Sequence, residues 1–154
     1  MTDDAIVTPE QHRALGVQLF NRTWTLMGAD KRTDEQDDQL LAAAYASMYH
    51  WSQVGTPENA ARSHWQVSRV YTAVGRPEPA LHHANRCLSV CEENGIGDWD
   101  LAYAYEALAR ASATGGDADA TRGYLAQARA AAEQIKEPED REHLEEDLAT
   151  VVVS

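Results

Sequence analysis

Apolar and polar positions along this chain recur with a helical period, and no stretch alternates with period two over the length of a strand. Glycine and proline fall between the periodic stretches, at joints. The pattern predicts about seven helices and an all-α fold. Thr8-Pro9-Glu10-Gln11 supplies an N-cap, a proline at the first helical position and a glutamine that closes a capping box, for a helix running to Gly28. Thr33-Asp34-Glu35-Gln36 repeats the device, and the second helix continues through Leu40-Leu41-Ala42-Ala43-Ala44-Tyr45 to Gly55. Thr56-Pro57-Glu58 opens a third helix that ends at Gly75, and Arg76-Pro77-Glu78-Pro79 a fourth that stops at Gly95. After Gly97, Asp98 is expected to cap a fifth helix ending at Gly115-Gly116. Asp117 caps the sixth, and Pro138 opens an acidic seventh.

A second regularity lies above the helical one. The third and fourth helices carry Trp65, Val67, Tyr71, Gly75, Ala80, Ala84 and Cys87, with bulky and small residues where two helices pack and glycine at the turn. This resembles the tetratricopeptide repeat family. Leu108, Ala109, Gly116, Asp117, Leu125 and Ala128 repeat the idea more weakly, with Thr121 where alanine is usual. The two units are about 41 residues apart rather than the family's 34, owing to the connection Asn94-Gly95-Ile96-Gly97-Asp98. A first pair carries Phe20, Trp24 and Gly28, but its acidic insert from Asp30 to Asp38 departs from the short turn of the repeat. The resemblance implies antiparallel helical hairpins stacked as a short right-handed superhelix in one domain spanning residues 1–154, with a flexible lead over residues 1–7. The stack needs a final helix to cover its last apolar face. Residues 138–151 fit that role: Leu144, Leu148 and Val151 recur at helical spacing, while Glu139, Asp140, Glu142, Glu145, Glu146 and Asp147 point to water. Val151-Val152-Val153 alternatively packs on another copy, which makes a homodimer a second expectation.

Composition narrows the function classes. With 154 residues the chain suits one domain, and mean hydropathy of -0.52 with no long apolar run argues against a membrane span. Met1-Thr2-Asp3-Asp4-Ala5 is acidic and lacks a basic n-region and an apolar stretch, so a cytoplasmic protein is expected. Cys87 and Cys91 lie four apart on one helix and are expected to be reduced. A net charge of -12 repels nucleic-acid phosphates and anionic membrane surfaces, so neither is an expected partner. The acidic runs at Asp30 to Asp38 and Glu133 to Asp147 read as solvated helix faces and first turns.

In repeats of this kind the first helix of each hairpin lines a concave groove. The resemblance therefore assigns to that groove Gln18 and Arg22, then Arg62, Trp65, Gln66 and Arg69, then Tyr103, Glu106 and Arg110. Four arginines on one surface, from only 13 lysines and arginines in the chain, oppose the global charge. The expected ligand is an acidic peptide, a protein segment or an anionic small molecule. Arg62 and Arg69 flank Trp65 at helical spacings, so a guanidinium can lie on the indole while gripping a carboxylate or phosphate. Gln66 and Tyr103 would fix orientation. The bland alternative pairs these arginines with nearby carboxylates such as Glu58 and Glu106.

Two other constellations compete. His83, Cys87 and Cys91 recur at four-residue steps, and His50 and His64 on neighbouring helices could complete a metal site with His83 and Cys87. Successive turns spread such ligands about 6 Å apart, however, and Cys87 fills a small-residue packing position. Tyr45, Tyr49, Trp51, Trp65, Tyr71, Trp99, Tyr103 and Tyr105 read mostly as core, with His50-Trp51 and His64-Trp65 as a mixed site if their helices neighbour. Asp100, Tyr103 and Glu106 share a helical face suited to acid-base chemistry, but there is no nucleophile elbow, phosphate-binding glycine loop or paired metal-ligand helix motif. The sequence thus favours a non-catalytic binding module without a cofactor. A metal-binding protein or metal-dependent enzyme and a structural homo-oligomer are the alternatives.

Overall fold

A computed structural model describes residues 6–153. The expected flexible lead falls largely on residues 1–5, outside the described residues. Among the described residues the chain forms seven helices and no strand: α1 (Pro9–Met27), α2 (Asp34–Val54), α3 (Pro57–Ala73), α4 (Pro77–Glu93), α5 (Asp98–Thr114), α6 (Ala118–Ala132) and α7 (Pro138–Ala149).

Three threonines start helices by the same local chemistry. The hydroxyls of Thr8, Thr33 and Thr56 accept the backbone N–H of Gln11, Gln36 and Asn59, whose side-chain carbonyls accept the cap N–H in return at 2.9, 2.8 and 3.0 Å. The start of α5 differs from expectation. Gly97 occupies the cap position without a side-chain hydrogen bond, and Asp98 is the first helical residue, at φ +54°. Its carboxylate accepts the N–H groups of Trp99 (2.8 Å) and Lys136 (3.3 Å), so it joins the helix start to the loop after α6.

The turns inside the second and third hairpins are built alike. Gly75 (φ +76°) and Gly116 (φ +75°) adopt the left-handed conformation, which spares them the cost a Cβ would bring. Around Gly75, Arg76 N–H donates to Tyr71 C=O (2.8 Å) and Gly75 N–H to Thr72 C=O (3.1 Å). Around Gly116, Asp117 donates to Ser112 (3.0 Å) and Gly116 to Ala113 (3.1 Å). Ala80 and Thr121, the next equivalent positions, are both fully buried.

Helices α1/α2, α3/α4 and α5/α6 form three antiparallel hairpins, and α7 packs on α5 and α6. Successive first helices touch, α1 to α3, α3 to α5 and α5 to α7, which aligns them in one row with α2, α4 and α6 behind. In the first hairpin α1 and α2 approach closely where Gly16 faces Trp51, and Ser47 Oγ donates to Gly16 C=O at 2.8 Å. At the other end, Leu144, Leu148 and Val151 bury against Ala102, Ala109, Leu125, Ala128 and Ile135. Burying a side chain such as Leu144 contributes about 2 kcal/mol. Arg141 ties α7 to the end of α6 by donating to the carbonyls of Ala132 (3.2 Å) and Ile135 (2.6 Å). Val151 therefore belongs to the chain's own core, and of the valine tail only Val152 and Val153 remain exposed. No helix among the described residues is long and apolar enough to cross a membrane.

Candidate functional site

The row α1, α3, α5, α7 brings together the side chains of greatest chemical interest, and a buried carboxylate organises them. Glu106 on α5 is 1% exposed. One turn along the same helix, Arg110 Nε donates to its Oε1 at 2.9 Å, and Arg69 Nη1 reaches the same oxygen from α3 at 3.3 Å. Trp65 Nε1 donates to Oε2 at 3.2 Å. Arg110 also donates through Nη2 to the Asp147 carbonyl (3.0 Å) and the Thr150 hydroxyl (2.8 Å), which locks α5 to α7. Burial, and then the neighbouring charge of Arg110, push the Arg69 guanidinium below its ordinary value. Arg69 and Arg110 share the Glu106 carboxylate, and the Asp147 carboxylate acts on Arg69 from nearby.

Arg62 has a different partner. Its Nε and Nη2 form a fork on the two oxygens of Asp100 at 3.0 and 3.1 Å, and its guanidinium carbon lies 4.3 Å from the centre of the Trp99 ring. The expected stacking of an arginine on Trp65 is thus realised one repeat further along, on Trp99. Trp65 itself meets Trp24 and Tyr103, each with ring centres 5.4 Å away. Tyr103 donates its hydroxyl to Asp147 at 2.7 Å, and burial and that bond raise its pKa.

These contacts divide the expected groove into separate hollows. One cavity, of about 270 Å³, is walled by Trp65, Trp99 and Tyr103. Arg62 and Asp100 border it on one side, Asp140 and His143 of α7 on the other. A second, of about 430 Å³, is lined by Arg69, Arg110, Thr72, Thr114 and Trp24, with Met27 and Ala73, and no acidic side chain contributes to it. A third, of about 130 Å³, lies across Arg62 against Phe20 and Trp51. The buried Ser63 Oγ on its wall has no hydrogen-bond partner among the described residues.

The remaining expected site residues have other placements. Gln66 is 1% exposed and donates its amide to Phe20 C=O at 2.9 Å, tying α3 to α1, so it does not face the groove. Arg22 and Gln18 are exposed on α1. The side chains with acid-base character are engaged by their neighbours: Asp100 by Arg62, Glu106 by two arginines and an indole, Tyr103 by Asp147.

The four side chains of the metal reading are not brought together. His50 Nδ1 faces His12 Nδ1 at 2.8 Å, between α1 and α2. His64 Nδ1 faces His83 Nδ1 at 3.0 Å, and His83 Nε2 meets the Tyr45 hydroxyl, which meets that of Tyr71. Cys87 is buried, and its hydrogen bond to Cys91 together with burial pushes its thiol well above the ordinary value, opposing the thiolate a metal needs. No group of three or more His, Cys, Asp or Glu residues is arranged for a metal among the described residues. The rings of His50-Trp51 and His64-Trp65 take other partners although α2 and α3 are neighbours: His50 meets His12, Trp51 packs on Gly16, His64 meets His83, and Trp65 meets Trp24 and Tyr103.

Trp24, Thr72, Trp99, Thr114, Asp140 and His143 line these hollows without having been singled out for them in the sequence. The Trp99-Tyr103 step of four residues was the one available signal, because it places both rings on one face of α5. No family model matches the chain, and neither a curated protein nor a solved structure does.

Proposed function

We propose that this protein is a non-catalytic, tetratricopeptide-like binding module of the cytoplasm that holds an acidic segment of a protein or peptide on the row formed by α1, α3, α5 and α7. The observation that carries the reading is the cavity of about 430 Å³ whose charged lining is Arg69 and Arg110 alone. Glu106 fixes both guanidiniums while leaving N–H donors on each. Arg69 spends one nitrogen on Glu106, and Arg110 retains Nη1. Guanidiniums held in place before a ligand arrives lose less side-chain freedom when it binds. Trp24 supplies an apolar wall, while Thr72 and Thr114 turn their hydroxyls inward to the carbonyls of Arg69 (2.7 Å) and Arg110 (2.9 Å), which leaves the arginines as the donors for an anion. Free Cys87 and Cys91 suit a reducing compartment.

A labelled hexapeptide of aspartate and glutamate, compared with its asparagine and glutamine counterpart in a fluorescence-polarisation titration, tests the reading. Thr114 is exposed, so Thr114→Glu adds a negative charge to the cavity and gives up only the hydroxyl's bond to the Arg110 carbonyl, a group the helix already holds. The acidic peptide should bind the wild type, bind the variant about tenfold more weakly, and lose affinity as salt rises. Equal binding of the two peptides, or no effect of the variant, would overturn it.

A further inference from the structure

The cavity of about 270 Å³ between α3, α5 and α7 has the opposite polarity to the arginine cavity. Arg62 and Asp100, the ion pair on its border, cancel one another. Asp140 then remains as the net charge of the lining, with the His143 imidazole one turn further along α7. Asp140 is half-buried and makes no ion pair among the described residues. The walls are Trp65, Trp99 and Tyr103, a set of π-systems that attract cations.

The molecule already shows what such walls recognise. Arg62 lies over Trp99 at 4.3 Å while gripping Asp100, so a cation between an indole and an aspartate is an arrangement this cavity supports with its own side chain. Across the cavity, Asp140 has no such cation. The field outside reinforces the choice, since the chain carries a net charge of -12 and α7 begins with Glu139 and Asp140. A volume near 270 Å³, just below the range of about 300–1,000 Å³ for drug-sized ligands, suits one small aromatic or branched apolar body with a short polar arm.

We propose that this cavity binds a small organic cation, an ammonium group carried on an apolar or aromatic body, with the ammonium against Asp140 and the body between Trp65, Trp99 and Tyr103. The assignment uses neither Arg69 nor Arg110, so it stands or falls independently of the acidic-peptide reading.

Three probes with the same ring and different charge test it: phenethylamine, 2-phenylethanol and phenylacetate, titrated into the full chain with tryptophan fluorescence and calorimetry as readouts. Phenethylamine should bind about fivefold or more tightly than 2-phenylethanol, with phenylacetate weakest. Asp140→Asn should lower phenethylamine affinity about five- to tenfold and leave 2-phenylethanol unchanged, because it removes charge and keeps shape. Circular dichroism and the melting temperature confirm that the variant is folded. Equal affinity for all three, preference for phenylacetate, no binding of any probe, or indifference of phenethylamine to Asp140→Asn would each overturn the proposal.

Discussion

His64 and His83 face one another through their Nδ1 atoms at 3.0 Å, with their rings stacked and centres 5.3 Å apart. Such a pair accommodates one proton between the two nitrogens and resists a second. Burial, and then the charges of Arg86 and His82, lower His64 from 6.5 to about 4. Burial, and then His64, His82 and Arg86, do the same to His83, also to about 4. The unfolded chain takes up protons as pH falls through 6.5, whereas the folded chain does not until about 4. The stability this pair contributes is therefore full above pH 6.5 and is lost as pH drops toward 4. Urea denaturation at pH 7 and pH 5 should show a loss on the order of 2 kcal/mol from the pair after allowance for solvent access. In His64→Gln the loss should be about half; the same pH dependence in both proteins would show that the pair is not its source.

Glu106→Gln should be among the most damaging single changes in the molecule. It leaves Arg69 and Arg110 side by side with no carboxylate between them. Breaking one side of a buried ion pair costs about 3–5 kcal/mol. Denaturant midpoints at constant slope measure the cost, and a change below about 1 kcal/mol would mean that the two arginines are well solvated.

Two glycines should respond to alanine with opposite signs. Gly75 has open space around it but sits at φ +76°, so Gly75→Ala costs about 1–2 kcal/mol of backbone strain. Gly123 lies inside α6, also with nothing near its Cβ position. There Gly123→Ala stabilises by roughly 0.5–1 kcal/mol, because alanine loses less freedom on entering a helix. Thermal melts of the two variants give the comparison directly, and a shift of the same sign in both would contradict it.

Gly16→Ala should destabilise the first hairpin for a reason unrelated to backbone freedom. A Cβ at Gly16 would stand 2.9 Å from Trp51 Nε1. The ring must move, at a cost of about 1–3 kcal/mol. Hydrogen exchange in α1 and α2 should quicken while that in α5 and α6 stays unchanged; a uniform effect over all helices would mean that the hairpins unfold only together.

The elements were legible in the sequence because their signals are local. Capping pairs such as Thr33 with Gln36, or the glycine turn at Gly75, involve residues within a few positions of each other. The partners within the candidate site are not local. Arg62 finds Asp100 across 38 residues, Arg69 finds Glu106 across 37, Trp65 finds Glu106 across 41 and Tyr103 finds Asp147 across 44. Each separation is close to one repeat, so the side chains meet their counterparts on the next first helix. The sequence indicated which face these residues share, and even Glu106 as a partner. Which charges cancel depends on how far neighbouring helices slide past one another, and no local pattern encodes that. Gly16 gave no signal either, since a glycine inside a helix announces a close approach only once the opposing Trp51 is known.

Nothing joins the two ends of the row. Helix α1 touches α2 and α3, and α7 touches α5 and α6, with no contact between α1 and α7 among the described residues. The shape is therefore the accumulated result of neighbour-to-neighbour angles, as in a coiled spring whose turns are each tied to the next but whose ends are free of one another. A slight rotation at each of three interfaces adds up at the far end without breaking any one of them. Because Arg62 and Arg69 bridge α3 to α5 and Arg110 bridges α5 to α7, the angle between each of these pairs of neighbours is set by the same contacts that hold the candidate site.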